Sequence, residues 1–426
     1  MVVAVAALAG CTGSVDPEAR FGGVDTDLPD DTAAALAAQL DEAVRLSGAS
    51  GGLAAVAAPW AGDWSAASGN VGFDEGAEPA SVDTEFQFGL GTTEVTCLLL
   101  LRLVDAGLVA LDDHVATYVD DIPGLAGITL EQLCRNTSGI ADYYAMMRGS
   151  FIGNPARPWP PGELIASGLA SPRTGEPGQR WVPSRTGVLL LGRALERATH
   201  HDYNSLVREY VLSPLGMDDT SLPDAADLDH AGALRAYVAA AGADGAPDCA
   251  ARIDTSAQSA SMGGAAAGAY TSLDDAVRLS QAFATGALLE EATVKAQWTP
   301  SATSPDAPTW QTQGIGGVMY GPLRGMASET PGALTAAFTD PETGLTVVLT
   351  LNNSTSGADF VREAAFAMAS IASKAPAAEG DQPLVELPWS LEQAQQSMTQ
   401  LARCPLEAPA AEAPAEETPA EPAPAE

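Results

Sequence analysis

A side-chain hydroxyl becomes a useful nucleophile near neutral pH when a base within hydrogen-bond reach takes its proton. Bases of that kind are scarce in this chain. Two of its 20 basic residues are lysines, Lys295 and Lys374, so no lysine lies anywhere between Met1 and Val294 and no Ser-x-x-Lys pair can form in that stretch. Thr92 and Thr93 open the apolar run TEVTCLLLLRLVDA. With no adjacent base their hydroxyls stay protonated, and the residues read as capping and starting a helix with Glu94 in its first turn. His200 and His201 are neighbours, so they point to different sides of any regular element, and no two cysteines share a Cys-x-x-Cys spacing. Neither pattern suits a metal, and no metal or other cofactor is expected. Apart from Cys11, the cysteines Cys97, Cys134, Cys249 and Cys404 allow three pairings in an oxidising compartment, or they are buried free thiols.

The elements that would position such residues follow from the apolar pattern. Thr93 to Ala106 is apolar nearly all round, as in a helix buried at a domain centre, and Gly107 reads as its C-cap. Upstream, residues 31–46 have helical spacing and an acidic start; GGLAAVAAP and WSAASGNVG then read as a hairpin about Trp60-Ala61-Gly62-Asp63. A helix-rich, Pro-interrupted middle runs from about Leu111 to Ala284. Short strands return as GIGGVMYG, RGMAS, ALTAAFT and LTVVLTLNN, followed by a helix from Gly357 to Ser373. Ser390 reads as the N-cap of a last amphipathic helix that docks Leu391, Met398 and Leu401. Strands at both chain ends with helices between predict an α/β domain enclosing a helical one.

Composition narrows the class of partner. The 426 residues carry 55 acids against those 20 bases, a net charge of −35 that repels nucleic acid and a bare anionic membrane surface. A hydrophobic content of 46% supports a sizeable core. The opening MVVAVAALAGC resembles a lipobox with Cys11 as acceptor, against the plainer reading of an apolar N-terminus. On the lipobox reading residues 1–11 are a lipoprotein signal and 12–30 a tether, and the protein is an extracytoplasmic one held to the bacterial cell membrane by its lipid. The Pro/Ala/Glu segment 407–426 has the composition of a disordered tail.

Five segments carry a family resemblance: FGLGTTEVTCLLLLRLVDAGLVALDDHVATYVDDIPG, ITLEQLCRNTSGIADY, PGQRWVPSRTGVLLLGRALE, VLSPLGMDDTSL and ETPGALTAAFTDPETGLTVVLTLNN. Together they resemble the serine β-lactamase and D,D-peptidase superfamily, most closely its class C β-lactamase-related branch. The resemblance implies a β-lactamase/transpeptidase-like α/β fold, an antiparallel sheet flanked by helices with an inserted helical domain. The expected division is 31–110 plus 285–374 for the α/β part, 111–284 for the helical domain, and 375–406 for a linker and C-terminal helix. It also implies where catalytic groups should stand. Counting from Leu111-Asp112-Asp113 puts the nucleophilic serine at Leu90 and its lysine at Thr93. PGQRW aligns the Tyr-Ser-Asn triplet with Pro183-Ser184-Arg185, and Thr330-Pro331-Gly332 aligns the cationic or imidazole motif with Met326-Ala327-Ser328. None of the required side chains is present, whereas Asp112-Asp113, Asn136-Thr137-Ser138-Gly139 and Leu215-Gly216-Met217 keep the scaffold's turn and capping residues.

Leu90, Thr93, Pro183, Ser184, Arg185, Met326 and Ser328 are therefore the candidate lining of a vacated cleft, with no catalytic residue among them. Arg185 is read two ways, as a clamp for a carboxylate or phosphate and as the partner of a nearby acid. The same register implies the pairs Cys97 with Cys134 and Cys249 with Cys404. The expectation is a cell-envelope module without hydrolase activity that binds a cell-wall fragment or small anionic ligand. The alternatives are an active β-lactamase, carboxypeptidase or esterase with a non-standard nucleophile, and a surface scaffold with no ligand.

Overall fold

A computed structural model describes residues 14–228, 230 and 232–407. The lipidation expected at Cys11, the signal at 1–11 and nearly all of the tail at 407–426 lie outside the described residues.

A sheet of eight antiparallel strands runs in the order Gly62–Gly69, Gly51–Ala58, Thr346–Leu351, Ala333–Thr339, Leu323–Thr330, Val318–Tyr320, Gln311–Gln313 and Ser301–Ala302. Its two halves come from the two ends of the chain, joined where Gly52 pairs with Leu351. Every residue of Gly51–Ala58, Ala333–Thr339 and Thr346–Leu351 is buried, because both faces of the sheet are covered. That explains why these strands read as continuous apolar runs instead of alternating ones. On one face lie Asp30–Ser47, Ala358–Ala372 and Leu391–Leu401, packed around Leu349, Phe338 and Phe366. Ser390 caps the last of these with a reciprocal capping box to Gln393, and Met398 is buried beneath it while Leu391 and Leu401 are half-buried. Burial of such a methionine contributes about 1.5–3 kcal/mol.

The other face meets the helix Leu273–Thr285, and behind it lies the central helix Gly91–Asp105, whose Leu98 to Leu101 have no solvent exposure. Gly107, at φ +69°, and Leu108 turn their N–H groups back to the Val104 and Leu103 carbonyls and close this helix. Arg185–Thr199 and the shorter helices of the middle segment pack against it in the larger core. Disulfides join Cys97 to Cys134 and Cys249 to Cys404, the pairing the register implied.

Several local expectations need correction. Thr92 and Thr93 do not cap the central helix: its N-cap is Leu90, with no side-chain cap, and the two threonines sit inside the first turn. The loop-like GADGAPDCAA forms part of a hairpin, Tyr237–Ala241 with Pro247–Asp254, which extends Cys249 toward Cys404. Helix Leu273–Thr285 packs on strands Ala333–Thr339 and Thr346–Leu351, so the sheet layer begins inside the segment assigned to the helical domain. The tether at 12–30 lies against the body from Val15 onward. Val15 donates to the Pro214 carbonyl, Val24 to that of Pro59, and Leu28 is 3% exposed in the core. Enough apolar contact and paired backbone hold it there that its Gly/Pro/Asp composition does not decide its state.

Candidate functional site

Between the start of the central helix, the strand Leu323–Thr330 and the start of helix Arg185–Thr199 lies a cleft of about 280 Å³. Leu90, Thr93, Pro183, Ser184, Arg185 and Met326 all line it, so three motif positions far apart in sequence do converge. Ser328 stands behind the wall at 3% exposure. Its Oγ accepts the Leu90 N–H at 3.1 Å, and the approach is so close that a Cβ on Gly89 (φ +56°) would fall 2.5 Å from that oxygen.

The threonine and serine hydroxyls at the motif positions hold the fold. Thr93 Oγ1 donates to the Ala266 carbonyl at 2.8 Å, and Thr92 Oγ1 accepts the Ala269 N–H at 3.1 Å. The threonines thus tie the central helix to the segment before Tyr270. Ser184 is the N-cap of Arg185–Thr199, its Oγ accepting from Gly187 and facing the Ala141 carbonyl. A backbone donor at position 90 could have held a developing oxyanion, but Ser328 already occupies it. Glu94, the carboxyl nearest Thr93 in the chain, is fully buried with no partner for Oε1. Burial raises its pKa well above the ordinary carboxylate range, which favours the protonated, neutral form. Cys134 lines the cleft as a disulfide, not a thiol.

Arg185 closes one side. One guanidinium nitrogen meets Asp142 Oδ2 at 2.9 Å, the other donates to the Glu329 carbonyl at 2.8 Å, and the group lies 4.0 Å above the Tyr144 ring. Burial opposes its charge, but Asp142 and the flanking tyrosines outweigh that, and its pKa is raised. The second sequence reading of Arg185 is the one realised: it pairs with a nearby acid and is not free to clamp an anion. It also occupies the edge of strand Leu323–Thr330, joining that strand to the opposite helix. On the far wall Arg362 is held by Glu363 at 2.8 Å and by Asp359. The cleft is therefore internally balanced in charge, and Leu90, Pro183, Val188, Val318 and Met326 give it an apolar lining.

Sequence reasoning missed Asp142, Asp359 and Arg362. Asp142 belongs to a segment that had been singled out, ITLEQLCRNTSGIADY, but no spacing rule brings it to Arg185. Asp359 and Arg362 reach the cleft from a helix on the other side of the sheet. Asn136, taken as a turn residue, is one at φ +55°, and its Oδ1 also accepts the Ser184 N–H at 3.0 Å from within the cleft wall. Among the described residues no cluster of three or more His, Cys, Asp or Glu could hold a metal ion, and no helix is long and apolar enough to cross a membrane.

A model of the beta-lactamase family matches residues 33–371. Among curated proteins the chain is similar to Esterase EstB of Burkholderia gladioli, 30% identical over 158 residues that cover 34% of this chain and 40% of the esterase. It is also similar to Penicillin-binding protein 4 of Amycolatopsis lactamdurans, 29% identical over 161 residues, 34% of this chain and 38% of that protein. The matched stretch spans well under half the length of these relatives. Among solved structures it resembles a D-stereospecific amidohydrolase from Streptomyces sp. at TM-score 0.65 and 23% identity, covering 76% of this chain and 95% of that one. The penicillin-binding protein homologue of Pyrococcus abyssi gives TM-score 0.65 at 20% identity, with 80% and 78% coverage. At these identities the structural likeness speaks to fold alone.

Proposed function

The chain belongs to the beta-lactamase family, and from that premise we propose that it is a non-hydrolytic member, a ligand-binding or regulatory module of the cell envelope anchored through lipid on Cys11. One observation carries the reading. The positions that would supply nucleophile, base, proton carrier and cationic or imidazole group converge on one cleft, yet they present a leucine, a threonine whose proton is spent on a carbonyl, a proline and a thioether. Removal of triad-type members costs several orders of magnitude in comparable chemistry, and here nothing in the cleft substitutes for them. Against this stands the active-hydrolase reading, which the family membership favours and which requires a free base, whereas the carboxylates of the lining, Asp142 and Asp359, are held by Arg185 and Arg362.

The ligand that suits this lining is a cell-wall fragment entering through an uncharged, partly apolar portion. Arg185 was the reason to expect a small anionic ligand, and Asp142 already satisfies it. Thermal unfolding against peptidoglycan stem peptides, free of sugar, tests the reading. At about 100 times Kd a fragment should add roughly 2.7 kcal/mol of stability. Leu90→Trp, which fills the cleft, should abolish that gain. Fragments recovered cleaved, or no fragment shifting the wild type, would refute it. The anchor is tested separately: Cys11→Ala should move the protein from the membrane pellet to the soluble fraction, and retention in the pellet would contradict lipidation there.

A further inference from the structure

A second groove, of about 440 Å³, lies beside the cleft between the C-terminal helix Leu391–Leu401 and helix Ala358–Ala372. Its size falls in the range of small-molecule sites, about 300–1,000 Å³. The floor is aromatic. Trp389 stacks on Phe366 with centroids 3.8 Å apart and planes 14° from parallel, and Trp310 meets Trp389 edge-on at 5.9 Å and Tyr320 at 6.4 Å. Trp310 is nevertheless 36% exposed, an indole held rigid by its neighbours yet open to water. Such a side chain offers an apolar face and an N–H donor at little entropic cost on binding.

The wall is made of amides. Gln393, Gln396 and Gln400 recur at helical spacing on one face of Leu391–Leu401 and are exposed. Gln396 and Gln400 make no hydrogen bond among the described residues, and Gln393 uses its carbonyl oxygen on the Ser390 N–H, which leaves its NH₂ for the groove. Each free amide presents both donor and acceptor. Glu363, the charged residue at the rim, is already paired with Arg362, and the lining contains no cation.

These features select a ligand. A lipid tail would leave the amides unpaired, and a polyanion would meet a strongly acidic chain with no cation to receive it. A neutral pyranose fits both surfaces: its C–H face covers the indole while its hydroxyls exchange hydrogen bonds with the amides. We propose that this groove is a saccharide-binding site for a neutral or N-acetylated glycan chain, running past Tyr320 toward the vacated cleft. Tyr320 and Gln311, which follows Trp310, line that cleft, so a bound glycan would lie alongside it.

Isothermal titration with the hexamer of N-acetylglucosamine and with cellohexaose tests this. At least one should bind with Kd below about 1 mM, equivalent to −4.1 kcal/mol. Trp310→Ala should weaken it tenfold or more and the pair Gln396→Ala/Gln400→Ala several-fold. Gln396 and Gln400 are exposed, so the unfolding temperature of that pair should hold, while Trp310 also packs on Trp389 and Tyr320, so Trp310→Ala is titrated well below its own unfolding temperature. Leu90→Trp, which fills the neighbouring cleft, should leave glycan affinity unchanged, so the two sites can fail independently. No binding of either hexamer, or undiminished binding by folded Trp310→Ala, would overturn the assignment.

Discussion

Replacing Arg185 with alanine should destabilise the protein by about 3 kcal/mol, because it leaves a largely buried carboxylate without its partner. The side chains of Arg185 and Asp142 are 12% and 20% exposed, so solvent screens the pair little. The same change strips the Glu329 carbonyl of its donor and the Tyr144 face of its cation. Removing both charges together, in Arg185→Ala with Asp142→Asn, should cost markedly less than the sum of the single changes, since neither member is then left charged and alone. Urea unfolding of the four proteins gives the coupling. A single Arg185→Ala variant within about 0.5 kcal/mol of wild type, the scale of ordinary surface substitutions, would show that this contact does not brace the cleft.

Glu94→Gln should change the pH dependence of stability more than any substitution on the surface. In the unfolded chain Glu94 ionises near the ordinary value of about 4.3. In the folded protein burial keeps the proton on the carboxyl to well above that. Between the two values the folded state holds one more proton than the unfolded state, so stability falls as pH rises, by about 1.4 kcal/mol per pH unit, until the folded carboxyl itself ionises. Glutamine carries the same shape without a proton to hold. The difference between Glu94→Gln and wild type should therefore be near zero at pH 4 and grow in favour of the variant as pH rises from 5. Parallel stability curves across that range would mean that Glu94 finds a charged-state partner and is not the neutral acid described here.

Much of this fold was readable because burial leaves a plain mark. The run from Val95 to Leu103 had to be a central helix, and the register drawn from its flanking motifs placed both disulfides and six residues of the cleft. What escaped the sequence depends on tertiary contact. Whether Arg185 faces a ligand or Asp142 is decided by how two helix starts meet. Thr92 and Thr93 looked like caps because threonine suits that position, but carbonyl and N–H groups at Ala266 and Ala269 compete for them more effectively. The hairpin around Cys249 has six of eight second-strand residues exposed, so no apolar alternation announced it. Residues 15–28 read as a free tether because a few buried contacts, Leu28 above all, outweigh a polar composition.

The claim that the cleft has lost its chemistry is tested most directly by intact-protein mass spectrometry after prolonged exposure to a penicillin and to a fluorophosphonate. The wild-type mass should remain unchanged by either reagent, with lactam loss at the rate of buffer alone. A stoichiometric adduct mapped to one serine or threonine, and abolished by replacing that residue, would contradict the account and make the protein an active hydrolase.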